Sequence, residues 1–248
     1  MRSEITTEKF WKDFWGGKLV KKKIPRNYYL SDILFSVGSK IKGSQFIELG
    51  GFPGFYSVFV RKYMGMHVSL LDKYIDEECM NELCAINNVD ESEITIIKED
   101  IFKFKPLKKY DLVFSFGLVE HFINLDKVIG KHMEILKRNG YSVIGVPNFL
   151  GLNGYFQKIF DPKNLSIHNL KAMDVNVLEK IIKKRSDVKD FEIFYYGGLA
   201  IWLENLNKRS VFLILIVYIT NIIGRLVKIA KMNSKFVSPY VFLIIHKK

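Results

Sequence analysis

The feature that most constrains this fold is an alternation of short apolar runs with amphipathic segments between residues 45 and 148. The runs have the length of buried strands, and the segments between them have the period of helices. Strands that alternate with helices form a parallel sheet with right-handed crossovers, and nearly continuous apolar strands indicate helices on both faces. The expected core strands are 46–49, 67–72, 94–100, 110–117 and 141–148.

Helical patterns precede this core. Phe10, Trp11, Phe14 and Trp15 recur on one helical face, and a second helical pattern covers 27–41. An aromatic face of this kind usually packs into a core, so we expect that role first. Contact with a substrate is the alternative for the two tryptophans.

Further elements are expected after the core. Asp174 is placed to cap a helix that runs to Arg185, and 191–196 and 240–246 have the pattern of strands. The fifth core strand is expected to follow a helix that ends at Asn139-Gly140. We find no internal repeat and no linker composition, and therefore expect a single domain over residues 1–248.

The apolar stretch 211–223 lies between the last two expected strands. It is shorter than the roughly 20 residues that a membrane-spanning helix needs, so we expect a buried or substrate-covering helix. A membrane-surface helix over 211–231 is the alternative, because basic residues flank the apolar stretch.

The composition limits the class of protein. Apolar residues make up 48% of the chain and charged residues 26%, as in soluble globular proteins. The charged N-terminal residues predict no secretory signal, and Cys79 and Cys84 have neither metal nor disulfide spacing, so we expect a cytoplasmic protein with reduced thiols. The net charge of +12 leaves nucleic acid, anionic lipid and anionic substrates open as partners.

A glycine-rich turn with the sequence ELGGFPG, at 48–54, follows the first core strand and precedes a helix. Such glycines let the backbone approach a ligand. Asp72 ends the second strand, about 20 residues further on, where a carboxylate can accept hydrogen bonds from both ribose hydroxyls of a nucleoside. This pattern fits a dinucleotide and S-adenosylmethionine (SAM) equally well.

Two features favour SAM over a dinucleotide. Phe52 stands where a pyrophosphate-binding turn usually has its middle glycine, and Glu48 suits a ligand that is cationic rather than phosphorylated. Asp100 ends the third strand, where a carboxylate can meet the adenine amino group. The Tyr-x-x-x-Lys pair of short-chain dehydrogenases is absent from the sequence, which disfavours a nicotinamide-dependent oxidoreductase.

The segments FIELGGFPG, VSLLD, KEDIFKF and YDLVFSFGLVEHF, in that order, resemble the consecutive cofactor motifs of class I SAM-dependent methyltransferases. The resemblance covers residues 45–148 and implies an α/β, Rossmann-like fold. Its mostly parallel seven-stranded sheet would have an antiparallel edge, with a helical insertion before the last strand. It further implies an N-terminal helical lid over 1–42, a SAM-binding core over 43–148, and a substrate-side region with the C-terminal strands over 149–248.

The resemblance assigns cofactor roles to residues at the strand ends. The glycine turn would lie against the methionine part of SAM, Asp72 at the ribose, and Asp100 with Ile101 at the adenine. The end of the fourth strand would place its backbone near the sulfonium. The matched residues are Glu48, Gly50, Gly51, Gly54, Asp72, Lys73, Asp100, Ile101, Ser115, Phe116 and Gly117.

The pair Glu120-His121 resembles the "EH" pair of small-molecule methyltransferases, including the ubiquinone-pathway O-methyltransferases. In that subgroup an acid three residues earlier is associated with a metal, but Gly117 stands there in this chain, so we expect no metal. His168 resembles a histidine near the active site of the same subgroup. His121 and His168 are the candidate catalytic bases, because histidine titrates near neutrality.

These patterns predict methyl transfer from SAM, with S-adenosylhomocysteine as the product, to a small molecule and preferably to a hydroxyl oxygen. A sugar or glycan precursor, a quinone-like aromatic and a natural-product intermediate all remain open. The sequence has no appended RNA-binding module and no Asn/Asp-Pro-Pro-Tyr/Phe motif, although the basic charge leaves RNA methylation as an alternative. A non-catalytic SAM-binding or membrane-associated protein is the alternative from another class. The oligomeric state is left open.

Overall fold

The computed structural model describes residues 4–16, 21–204, 206–229 and 232–248, with the backbone alone for 225–229. Seven strands form one mixed sheet in the order β3-β2-β1-β4-β5-β7-β6. Strands β1 to β5 pair in parallel, and β7 pairs antiparallel to both β5 and β6. The predicted mostly parallel seven-stranded sheet with an antiparallel edge is confirmed. The strands are β1 Gln45–Leu49, β2 His67–Asp72, β3 Ile94–Lys98, β4 Tyr110–Phe116, β5 Leu136–Pro147, β6 Val188–Tyr196 and β7 Tyr240–Lys247.

Helices cover both faces of the sheet, and the alternation of side chains along each strand feeds a separate core on each side. In β1, Phe46 enters the core formed with α2 to α4, whereas Ile47 and Leu49 enter the core formed with α5 and α8. The helices are α1 Glu8–Trp15, α2 Ser31–Gly38, α3 Phe55–Met64, α4 Glu77–Ile86, α5 Leu125–Ile135, α6 Leu152–Phe160, α7 Pro162–Ser166, α8 Val175–Lys183 and α9 Val211–Ile229.

Two boundaries differ from the sequence-based expectation. Strand β5 begins at Leu136, because this buried residue pairs with Tyr110 at the start of β4, and Asn139 with φ +58° lies within the strand rather than ending a helix. Strand β3 ends at Lys98, two residues before Asp100. The cap at Asp174 is confirmed: its Oδ1 accepts from the Asn176 amide at 2.9 Å.

Helix α9 contains the apolar stretch 211–223 and extends beyond it. Leu213 and Val217 pack against Ile201 and Leu203, but the opposite side of the helix is exposed, so the expectation of a buried helix holds for one face only. Within the described ranges, no helix is long and apolar enough to cross a membrane. Residues 230 and 231, at the end of the predicted membrane-surface segment, lie outside the described residues.

Candidate active site

The candidate site lies at the carboxyl ends of β1 and β4, where the strand order reverses. Strands β2 and β3 continue from β1 in one direction, and β5 continues from β4 in the other. Such a reversal leaves a crevice in which ligands bind in open α/β sheets. The turn after β1, the ends of β2 and β4, and helix α1 line this crevice.

The turn after β1 requires glycine at several positions. Gly50 and Gly54 have φ values of +62° and +89°, which residues with a side chain rarely adopt. A Cβ on Gly51 would lie 2.2 Å from Cγ of Glu48. The Gly50 amide donates to the Leu71 carbonyl at 2.7 Å, which ties the turn to β2. The predicted glycine turn is therefore formed, and its backbone faces the crevice at Gly50.

Phe52 fits into this turn without a glycine. Its side chain is buried, and its ring makes edge contacts with Trp15 and Tyr74. Its amide donates to Oδ2 of Asp72 at 3.1 Å. The departure from the usual motif adds an aromatic wall to the crevice and links the turn to the end of β2.

Glu48 lies beneath the turn, which differs from the predicted position at a cationic ligand. Its Oε2 accepts hydrogen bonds from the amide of Ser57 at 2.7 Å and from its hydroxyl at 2.6 Å. Burial raises the pKa of Glu48 to about 8, although both hydrogen bonds oppose this shift. Glu48 thus fastens the turn to the first turn of α3, and acts as a positioning residue.

Asp72 lines the crevice as the sequence predicts. Its carboxylate accepts from the amides of Phe52 and Tyr74, at 3.1 and 3.2 Å. Burial raises its pKa to about 6, and these backbone hydrogen bonds oppose the rise. Each oxygen can accept a further hydrogen bond, so the geometry allows contact with ribose hydroxyls.

Lys73 and Asp100 form an ion pair with each other. Lys73 Nζ lies 2.8 Å from Asp100 and 2.5 Å from Glu4. Burial works against these charges, yet the pairing raises the pKa of Lys73 and lowers that of Asp100. Ile101 lines the crevice beside Glu99, so the first acid of the Glu99-Asp100 pair faces the cavity and the second faces Lys73.

The crevice has an acidic lining although the chain is strongly basic. It comprises two adjoining cavities of about 50 and 120 Å³, which share Trp11, Gly50, Asp72 and Leu118. Among the described residues that line them, three are carboxylates and one is a lysine, which is already paired. Such a lining suits a cation and disfavours a pyrophosphate. The carboxylates are Glu4, Asp72 and Glu99.

The N-terminal segment covers this crevice. Glu4 forms a β-bridge with Phe122, and the Ile5 amide donates to the His121 carbonyl at 2.8 Å. Ligand pockets usually span about 300–1,000 Å³, so this segment must move for a nucleoside of SAM's size to enter.

The end of β4 separates the crevice from a second cavity. Phe116 and Gly117 line both spaces. Gly117 has a φ of +76°, and its amide donates to the Gly145 carbonyl at 2.9 Å. The Ser115 side chain is directed elsewhere: its hydroxyl lies 2.9 Å from Nε2 of the buried His132.

The second cavity is an aromatic chamber of about 330 Å³. Helix α1 supplies four of its aromatic side chains, so the face predicted to be core is mainly a cavity wall. Among the described residues, the lining includes two glutamates and two histidines, and no lysine or arginine. The aromatic residues are Phe10, Trp11, Phe14, Trp15, Phe116, Trp202 and Tyr240.

Glu120, His121 and His168 meet at one wall of this chamber, with ligand-capable atoms within 4.8 Å of one another. Nδ1 of His121 lies 3.0 Å from the Ile167 carbonyl, and Nδ1 of His168 lies 2.7 Å from the Asn164 carbonyl. A ring nitrogen that faces a carbonyl must carry the proton, so both Nε2 atoms hold lone pairs in the neutral rings. Both predicted catalytic histidines are therefore brought together, with their acceptor atoms unprotonated.

The electrostatics of this cluster follow from burial. Burial raises the pKa of Glu120 to about 8. It lowers the pKa of His121 to about 3, with a further contribution from His168, whose own pKa is also lowered by burial. Oε2 of Glu120 is buried without a hydrogen-bond partner among the described residues. The two histidines thus present acceptor atoms to the chamber, Glu120 becomes an acceptor when it ionises, and the three side chains have the spacing to hold a metal ion.

Several residues that line the two cavities were not among the site residues predicted from the sequence. Glu4 comes from the N-terminal segment, Leu118 and Glu120 follow β4, and Trp202 follows β6. The pair Glu120-His121 was the one available signal for the acid. Nothing in the local sequence indicates that residues 4 and 202 reach the crevice and the chamber.

Comparison with known proteins shows which solved structures this fold is similar to. No family model and no curated protein matches the chain by sequence. A SAM-dependent methyltransferase from Archaeoglobus fulgidus matches with a TM-score of 0.56 and 20% identity, over 98% of this chain and 100% of that one. Phosphoethanolamine N-methyltransferase 2 of Haemonchus contortus, in complex with phosphomonomethylethanolamine and S-adenosylhomocysteine, matches with a TM-score of 0.60 and 17% identity, over 96% of this chain and 56% of that one.

A methyltransferase from Thermotoga maritima, described as a possible histamine N-methyltransferase, matches with a TM-score of 0.53 and 13% identity, over 88% of this chain and 94% of that one. The chain therefore has the fold of class I SAM-dependent methyltransferases, as the sequence motifs predict.

Proposed function

We propose that the protein is a SAM-dependent methyltransferase that acts on a hydroxyl group of a small, flat aromatic molecule. The observation that carries this proposal is the junction at Phe116-Gly117, where an acid-lined crevice meets an aromatic chamber equipped with proton acceptors. SAM supplies an electrophilic methyl group on a sulfonium. This chain's own residues must bind the acceptor, orient it and exclude water.

The crevice residues fit SAM on three grounds. Asp72 has acceptor capacity left for the ribose. Leu71, Ile101 and Leu118 give apolar contact for a flat base, and a Cβ on Gly50 would lie 2.4 Å from Cδ1 of Leu118, so glycine keeps this space open. The surplus of carboxylates stabilises a cationic ligand.

The aromatic chamber narrows the acceptor. Its rings favour a planar molecule by stacking, which selects the quinone-like aromatic among the acceptor classes left open by the sequence. The described part of its lining contains no lysine or arginine to bind a phosphate, which disfavours RNA and phosphorylated acceptors. The indole Nε1 of Trp202 is a buried donor without a partner among the described residues, and an acceptor oxygen would satisfy it.

The cluster of Glu120, His121 and His168 supplies the base. A hydroxyl acceptor must lose its proton as the methyl group arrives. The unpartnered Oε2 of Glu120 can take this proton once the carboxyl is ionised, and the two Nε2 lone pairs are the alternative acceptors. A divalent ion is the competing occupant of the same atoms. Gly117 stands where a further acidic ligand would be expected, and we therefore propose metal-independent transfer.

Labelled SAM mixed with a native metabolite extract tests this function. We expect one aromatic product to gain a methyl group by mass spectrometry, in the presence of a chelator as well as in its absence. Tight SAM binding with no transfer to any extract component would refute catalysis and favour the non-catalytic alternative. Loss of transfer on chelation would assign the cluster to a metal ion.

A further inference from the structure

Helix α9 presents a stripe of large apolar side chains to solvent. They recur at helical spacing over three turns, and each is between 48% and 82% exposed. Contiguous exposed apolar surface of this kind marks an interaction site. The residues of this stripe are Val211, Phe212, Leu215, Tyr218, Ile219, Ile222 and Ile223.

The opposite face fixes α9 to the body of the protein. Leu213 and Val217 are buried against Ile201. Asn221 accepts from the Ile201 amide at 2.9 Å and donates to its carbonyl at 3.0 Å, and a Cβ on Gly224 would lie 1.6 Å from the Leu199 carbonyl oxygen. The helix is therefore docked through a specific interface, and the outward direction of the apolar stripe is set by it.

The charge of this segment identifies what can cover the stripe. Residues 205–239 contain six lysines and arginines and no aspartate or glutamate. Arg209 is paired with Asp161 at 3.2 Å, whereas Lys208 and Lys235 are exposed. A second copy of the chain would bring two such basic segments together, which repels. An anionic surface is complementary to both the charge and the apolar stripe.

We propose that the outward face of α9 docks on an anionic lipid bilayer and lies in the interfacial region. Amphipathic helices bind in this way, with apolar side chains among the acyl chains and basic residues near the headgroups. Among the residues that the structure describes, no helix is long and apolar enough to cross the bilayer. This docking is independent of methyl transfer, because the stripe lies outside the residues that line the crevice and the chamber.

Vesicle co-sedimentation of the full chain tests the docking. We expect binding to an equal mixture of phosphatidylcholine and phosphatidylglycerol, and much weaker binding to phosphatidylcholine alone. The double variant Leu215→Ser, Ile219→Ser should lower the partition coefficient at least about tenfold. The matched control is Leu107→Ser, Ile123→Ser, which removes the same two residue types from exposed positions outside α9 and should leave binding unchanged.

A second pair of variants tests the charge. Lys208→Gln, Lys235→Gln should weaken binding to the mixed vesicles by roughly tenfold, whereas the exposed pair Lys108→Gln, Lys109→Gln should not. No binding to the mixed vesicles, or equal loss in the stripe variant and its control, would overturn the proposal. So would a dimer in sedimentation that the stripe variant converts to monomer. Calorimetric SAM binding by the stripe variant, expected to be unchanged, verifies folding and separates this result from the test of methyl transfer.

Discussion

Glu120 offers a test that does not require the acceptor to be known. Its side chain is 1% exposed, and burial raises its pKa from 4.5 to about 8. At pH 7 the folded protein keeps this carboxyl protonated, whereas the unfolded chain releases the proton. Glu120→Gln keeps the size of the side chain and removes this difference. We therefore expect a variant that is more stable than the wild type and deficient in methyl transfer.

The magnitude follows from the two pKa values. The stability that the protonated carboxyl contributes is complete below pH 4.5 and is lost as the pH rises through about 8. At about 1.36 kcal/mol per pH unit, the free energy of unfolding of the variant exceeds that of the wild type by on the order of 3 kcal/mol at pH 7. For a chain of this size, that gain corresponds to a Tm higher by about 6–12 °C.

Urea denaturation at several pH values, with a chelator present, measures this gain. The difference between Glu120→Gln and wild type should be absent near pH 4, increase up to about pH 8 and then level off. The control is Glu179→Gln, a partly exposed glutamate on α8 paired with Lys183, which should change stability by less than about 0.5 kcal/mol. An equal free energy of unfolding for Glu120→Gln and wild type from pH 5 to 8 would show that Glu120 is ionised in the fold, and would refute the reasoning.

Three further outcomes are expected. Gly50→Ala should weaken SAM binding at least about tenfold in calorimetry, because the added Cβ would enter the space of Leu118. The control is Gly65→Ala, at a position with a similar positive φ but open surroundings. This control should lower the free energy of unfolding by about 1 kcal/mol and leave SAM binding unchanged. Lys73→Met should lower the free energy of unfolding by about 1–2 kcal/mol in urea, because two part-buried carboxylates lose their partner; an unchanged midpoint would contradict the ion-pair network. The transfer rate of the wild type, once an acceptor is found, should rise with pH and level off above about pH 8 as Glu120 ionises. A rate that does not change between about pH 7 and 9 would instead point to a histidine, because burial lowers the pKa of both His121 and His168.

The core of the fold could be predicted because its signals are local. Apolar runs of strand length and the intervening helical periodicity specify β1 to β5 without tertiary information. The start of β5 could not be predicted in this way. Asn139-Gly140 has the composition of a helix end, and only the pairing of Leu136 with Tyr110 extends the strand across it.

The candidate site could likewise be predicted only where the position of a residue depends on its neighbours in sequence. Asp72 and Gly50 lie where the motif predicts, because a strand end and the turn beside it are set by neighbours in sequence. The position of Glu48 depends on Ser57 in the next helix, which redirects the carboxylate beneath the turn. The approach of His168 to Glu120 joins elements that only the folded chain brings together, so spacing carries no information about it.

Calorimetric titration with SAM is the most direct measurement of whether the crevice binds this cofactor. We expect SAM and S-adenosylhomocysteine to bind one per chain, NAD to give no heat of binding, and Asp72→Asn to weaken SAM at least about tenfold by removing a ribose acceptor. Absence of SAM binding, or tighter binding of NAD than of SAM, would contradict the assignment of the acid-lined crevice to a cationic nucleoside.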